Sequence, residues 1–205
     1  MNQIEKEILK ILYINQNIKI DRGYLETNLL LDKRNIEDTC KNMERKKLIS
    51  KINNEYFINE KGKSKLIIVM IGGVFDIIHP GHIITLKSAK NLGDVLIVSV
   101  ARDQTVLKYK KHKPINEETK RCELINSIKY VDLGILGNKK NIFDTVIKLK
   151  PNIIALGYDQ KHNEGELKNK IDKLELDIKL VRLKSSIPDI KSSEILKNPN
   201  KIKDF

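Results

Sequence analysis

The chain has 205 residues, 40% hydrophobic and 32% charged, and its 39 Lys and Arg against 27 Asp and Glu give a net charge of +12. This reads as a globular chain of one large or two modest domains: no run approaches the roughly 18 to 20 apolar residues of a membrane span, and the start MNQIEKEILK lacks the basic-then-apolar order of a secretory signal, so the cytoplasm is the expected location. Cys40 and Cys122 stand far apart and without paired spacing, which argues against a disulfide framework and against a zinc knuckle.

In chain order, NQIEKEILKILYIN puts Ile4, Ile8, Ile11 and Leu12 on one helical stripe, and DRGYLETNLLL and KRNIEDTCKNMERKKLI read as two further helices. The period then drops to two. LISKINNEYFIN alternates around its Asn pair, which predicts a short hairpin, with EKGKSK as a polar connection after it. Three helices and a hairpin in this order, ending in YFINEKGK, resemble a winged helix over residues 1–65, with the hairpin as the wing. The resemblance implies that the third helix, from about Lys33 to Lys47, is the one that would enter a DNA major groove, with Lys33, Arg34, Lys41 and Arg45 at the phosphates. The other reading of these charges is a solvated face on a module that packs against the second domain or a second subunit. Residues 1–65 hold 14 Lys and Arg against 10 Asp and Glu, and residues 66–205 hold 25 against 17, so the positive charge is not gathered at one end. It calls for a polyanionic partner somewhere between DNA and a nucleoside triphosphate.

From residue 66 the character changes. Apolar runs at KLIIVMI, DVLIVSV, VDLGIL, PNIIALG and LDIKLVRL alternate with helical stretches over His82 to Asn91, Glu117 to Lys129, Ile142 to Lys148 and Glu164 to Leu174. Continuous apolar strands separated by helices predict an α/β doubly wound domain with a parallel sheet covered on both faces.

The first strand runs into IGGVFDIIHPGH. Ligands of such sheets bind outside the carboxyl ends of the strands, and here Gly72 and Gly73 are expected to let the backbone turn sharply and approach a ligand. Pro80 and Gly81 lead into a helix whose first turn offers N–H groups and a positive dipole end to an anion. His79 and His82, three apart at that helix start, can face one point, which makes a phosphate cradle with two imidazoles. A purely structural pair, or a metal site, is the competing reading; metal ligation needs further ligands, and only His112 and His162 remain, with no Cys/His cluster.

GGVFDIIHPGH is similar to the signature of the cytidylyltransferase-like nucleotidyltransferases, and the resemblance extends over residues 66–205 through SVARDQTVLKYKKHKPI, the arginine of EETKRCELINSIKYVD, PNIIALGYDQ and the terminal IKSSEIL. Within that family ARDQTVLK, KPI and GYDQ look most like archaeal-type FAD synthases, which transfer AMP from ATP to FMN and release pyrophosphate. The resemblance implies the following roles. His79 and His82 would stabilise the charge of the leaving pyrophosphate, helped by the helix start at Pro80 and Gly81; Gly73, Val74 and Phe75 would present backbone to the nucleotide, and Asp76 would hold the loop. The family's usual Thr is Val74 here, which removes one hydroxyl contact. Lys108, Lys110, Lys111 and Lys113 would lie on a mobile loop after the second strand, with Lys111 in the best position for the triphosphate, and Arg121 would approach the transferring phosphates. Their alternatives are a solvated basic loop and a surface ion pair of Arg121 with Glu117 or Glu118. Asp159 would help bind the nucleotide or else cap a helix, Ser192 and Ser193 would meet a phosphate or act as N-caps, and Lys184 would replace a family arginine.

A divalent ion, Mg2+, is implied by the triphosphate rather than by a protein cage. CTP in place of ATP, glycerol 3-phosphate or another alcohol phosphate in place of FMN, and a winged-helix DNA-binding regulator that senses a nucleotide or flavin stay open as alternatives. Relatives are often dimers, so a homodimer is a further expectation.

Overall fold

The computed structural model describes residues 1–139, 142–158 and 164–184, without the side chain of residue 142. The chain divides into two compact units, Met1–Leu66 and Ile67–Phe205.

The first unit carries three helices and a hairpin. Helix α1 (Gln3–Ile14) opens on a capping box in which the Glu5 amide donates to Asn2 Oδ1 at 2.8 Å and the Asn2 amide to Glu5 Oε2 at 3.1 Å. Asp21 and Asp32 cap α2 (Arg22–Leu29) and α3 (Lys33–Arg45) one way, accepting from the amides of Tyr24 at 2.8 Å and Asn35 at 3.0 Å. Strands β1 (Ile49–Ile52) and β2 (Glu55–Ile58) pair antiparallel with Ile52 opposite Glu55. Asn53 and Asn54 turn the hairpin with φ of 50° and 66°, the left-handed pair that asparagine tolerates and that matches strand twist. Ile8, Leu9, Leu12, Leu25, Ile36, Met43, Leu48, Ile49 and Tyr56 are buried. Lys33, Arg34, Lys41 and Arg45 are exposed on α3. The EKGKSK connection contains one helical turn, α4 (Glu60–Lys63). Among the described residues no helix is long and apolar enough to cross a membrane.

The second unit is a five-stranded sheet flanked by helices. In chain order it runs β3 (Ile68–Gly73), α5 (Pro80–Lys90), β4 (Val95–Val100), α6 (Asp103–Lys110), α7 (Glu118–Asn126), β5 (Leu133–Leu136), α8 (Ile142–Leu149), β6 (Ile153–Leu156), α9 (Glu164–Lys173) and β7 (Lys179–Arg182). The spatial order is β5-β4-β3-β6-β7 with every pair parallel. The chain therefore starts in the middle, winds to one edge, returns, and winds to the other, which leaves a switch point between β3 and β6. Burial on both faces explains why β3 and β4 are almost wholly apolar: all six residues of β4 are buried, and only Ser99 among them is polar. Leu86 and Ala89 of α5 and Ile125 of α7 join Val69, Ile71, Leu96, Val98, Val100 and Ala155 in one core cluster.

Two local expectations change. Gly72 and Gly73 do not turn the chain: both extend β3, in register with Ser99 and Val100, and no described glycine has a positive φ. The lysine segment is not a loop throughout either, since Lys108 and Lys110 belong to α6, with Lys111 at its left-handed C-cap and only Lys113 in the connection beyond. The cause is a cap from outside the segment. The Asp103 amide donates to Glu118 Oε2 at 2.8 Å and the Glu118 amide to Asp103 Oδ2 at 3.4 Å, so α6 and α7 cap each other across fifteen residues.

Candidate active site

The carboxyl end of central strand β3 feeds the segment from Val74 to His79, and α5 begins immediately after it. The turn falls on Phe75, whose φ is 53°, an unusual value for a bulky side chain and one that costs of the order of 1–3 kcal/mol. Gly73 makes room for the result: a Cβ there would stand 2.6 Å from Phe75 Cε2. The Phe75 ring is buried and lies 5.2 Å from the His82 ring, tilted by 59°, and the His82 ring in turn lies 4.0 Å from that of His79. Phe75, His82 and His79 thus form a continuous stack at the sheet's end.

His79 is the N-cap of α5, in extended backbone, and makes no side-chain cap hydrogen bond; Pro80 occupies the first helical position. The amides of His82 and Ile83 both donate to the His79 carbonyl, at 2.9 and 3.4 Å. Burial, followed by the adjacent His79 ring, pushes His82 down to about 4, against a smaller opposing effect of the Ile77 backbone. The ring is neutral at pH 7. Its Nδ1 is buried and has no hydrogen-bond partner among the described residues, an unused capacity at the point where the helix start faces outward. Beside His79 a cleft of about 490 Å3 is walled by Ile78, Pro80, Ile83 and Ile84, apolar side chains that can hold a flat ring next to phosphate chemistry.

Asp76 is buried. It accepts from the amides of Ile115 at 2.9 Å and Asn116 at 2.8 Å, and its own carbonyl accepts from Asn116 Nδ2 at 2.9 Å. Arg121 has 0% exposure. Its guanidinium donates to the carbonyls of Val74, of Ala101 at 2.7 Å and of Asn116 at 2.9 Å, and pairs with Asp103 at 2.7 Å. Neither expected use of this arginine matches its place: its ion pair is with Asp103, Glu118 pairs with Arg102 instead, and the enclosed guanidinium presents no surface to a ligand. Val74 likewise gives its carbonyl to Arg121.

Lys111 is exposed at the end of α6 with φ of 62°, and Lys110 is the lysine whose charge acts on His82. Lys184 is exposed just beyond β7. Asp159, Ser192 and Ser193 lie outside the described residues. Arg102 and Arg182, which sequence reasoning passed over, stand at the ends of β4 and β7: Arg102 donates to the Gly137 carbonyl at 2.9 Å, and Arg182 to the Gly157 carbonyl at 2.9 Å while pairing with Glu164. Their only signal in the sequence was position directly after an apolar run. Among the described residues no three His, Cys, Asp or Glu side chains converge as a metal site.

A family model described as cytidylyltransferase-like matches residues 70–198, and so takes in the whole of this strand-end arrangement. The chain belongs to the cytidylyltransferase-like family. Residues 1–69 lie outside the cytidylyltransferase-like match. An FAD synthase of Thermoplasma volcanium is 49% identical over 128 residues, which are 62% of this chain and 89% of that one. An FAD synthase of Pyrococcus horikoshii is 46% identical over 123 residues, 60% of this chain and 83% of that one. The crystal structure of a Thermoplasma volcanium protein described as a lipopolysaccharide core biosynthesis protein superposes with a TM-score of 0.57 at 50% identity, over 58% of this chain and 98% of that one.

Proposed function

We propose that this chain is an FAD synthase that transfers the AMP of ATP to the phosphate of FMN, giving FAD and pyrophosphate. The observation that carries the reading is the packed pair of a buried His79 and a half-buried His82 at the start of α5, in a chain 43–49% identical to several archaeal FAD synthases over most of their length. The FMN phosphate is already an anion at neutral pH, so its attack on the α-phosphorus of ATP needs no general base. What remains is positioning and charge stabilisation. The P–O bond to the β-phosphate breaks as the new one forms, and pyrophosphate leaves carrying the charge.

In this reading His79 and His82 face the leaving phosphates from the first turn of α5. A neutral, half-buried His82 can donate one N–H at once, and the arriving negative charge favours its imidazolium form. Lys110 and Lys111 supply positive charge from the end of α6, while Asp159, Lys184, Ser192 and Ser193 complete the nucleotide side. The divalent ion, Mg2+, enters on the triphosphate as part of the substrate.

The test is pyrophosphate release by the purified protein with Mg2+, crossing ATP and CTP against FMN and glycerol 3-phosphate. The expected result is release with ATP and FMN, accompanied by FAD, and a loss of about 100-fold or more in His82→Ala. Release with glycerol 3-phosphate alone would overturn the flavin assignment.

A further inference from the structure

We propose that Arg121 is a positioning residue: it holds the backbone of three site segments in one register, and with Asp76 it anchors the lysine-bearing segment to the histidine loop. The carbonyls it collects belong to Val74 after β3, Ala101 after β4 and Asn116 ahead of α7. A trans peptide points its C=O and the following N–H in opposite directions. One planar fork on three carbonyls therefore sets the direction of the Phe75, Arg102 and Glu117 amides together, which a single-point lysine ammonium cannot do.

Asn116 is gripped from two sides. Arg121 takes its carbonyl and Asp76 takes its amide, at 2.9 and 2.8 Å. This residue lies between Lys108–Lys113 and α7, and its bonds to Asp76 join that stretch to the loop that leads to His79, so its two bonds decide where the lysines stand relative to the imidazoles. A guanidinium with 0% exposure is retained only with its bonds made, since a buried cation without partners is strongly destabilising. Asp103 supplies the single acidic partner among the bonds described for it.

The kinetic arm of the test rests on the nucleotidyl-transfer reading, and the proteolysis arm does not. Arg121→Lys, Asp76→Asn and the double variant are made in the full chain, and kcat, KM for ATP, thermal unfolding and the rate of tryptic cleavage within residues 108–113 are measured. For Arg121→Lys kcat is expected to fall about 100-fold with KM for ATP changed less than about fivefold. Cleavage within 108–113 should accelerate about tenfold in each single variant while global unfolding stays cooperative. The double variant should be little worse than the worse single one, because both release the same residue. A kcat within about twofold of wild type in Arg121→Lys would overturn the proposal, as would a KM for ATP raised about tenfold or more at unchanged kcat, the mark of a direct phosphate contact. If Arg121→Lys does not fold, Asp76→Asn decides alone, and an unchanged cleavage rate sinks the idea. A wild type that releases no pyrophosphate refutes the function while leaving the cleavage result to judge the anchor.

Discussion

The stack of Phe75, His82 and His79 couples an unusual backbone to unusual titration. His82 is held at about 4 by burial and by its neighbour, against an ordinary value of about 6.5. Between these pH values the unfolded chain binds a proton that the folded chain refuses, so this contribution to stability is fully present above about pH 6.5 and is lost as pH falls toward 4. Thermal unfolding of wild type and His82→Asn across that range should show the steeper loss in wild type; parallel curves would remove His82 as the cause. Gly73→Ala tests the other end of the stack. Its Cβ would meet the Phe75 ring at 2.6 Å, so the ring must shift and carry His82 with it. We expect a stability loss of about 1–3 kcal/mol and a fall in pyrophosphate release of about tenfold or more, read by thermal unfolding and initial rates.

Among elements, a buried carboxylate on α1 reaches Asn42 of α3 and Lys46 at its C-cap. Glu5 is 2% exposed, closes the capping box of α1, and pairs with Lys46 at 2.7 Å while Asn42 donates to it at 3.3 Å. The Lys46 hydrogen bond, ahead of the penalty from burial, holds Glu5 below the ordinary carboxylate range, so its stabilisation is present at neutral pH and lost as pH falls through that range. Lys46→Met should destabilise the first unit by about 1 kcal/mol, less than a fully buried pair would cost because the Lys46 side chain is 47% exposed. Urea unfolding at pH 7 checks the size, and the difference from wild type should shrink at low pH. In the second unit the reciprocal caps of α6 and α7 place Lys110 and Lys111 at a helix end, whereas a free loop would leave their reach undefined.

At the scale of the whole molecule, the second unit holds a core cluster drawn from its own residues. The Thermoplasma volcanium FAD synthase is matched over 89% of its length by 128 residues, so a protein of that kind is complete at about the size of the second unit. Residues 67–205 expressed alone should therefore unfold cooperatively and release pyrophosphate with kcat within about threefold of the full chain. A fragment that folds but is inactive would make the first unit part of the catalytic apparatus.

The parallel sheet and its helices were legible because the signal is local: apolar runs too continuous for a half-exposed strand, such as VLIVSV, must be buried on both faces. The hairpin at Asn53 and Asn54 was legible because two residues tolerant of positive φ sit between alternating runs. The histidine pair could be placed at a strand end from order alone. Three things required the fold. The tight turn fell on Phe75 and not on a glycine, because Gly73 is needed to admit the ring and not to bend the chain. Helix α6 took in two lysines that looked like loop, because its cap comes from Glu118. Arg121 proved enclosed, because its carbonyl partners converge from segments up to 47 residues away. Local pattern determines which strands and helices form and where a strand ends. Which side chains then meet at that end depends on distances through space, and only the packed sheet sets those.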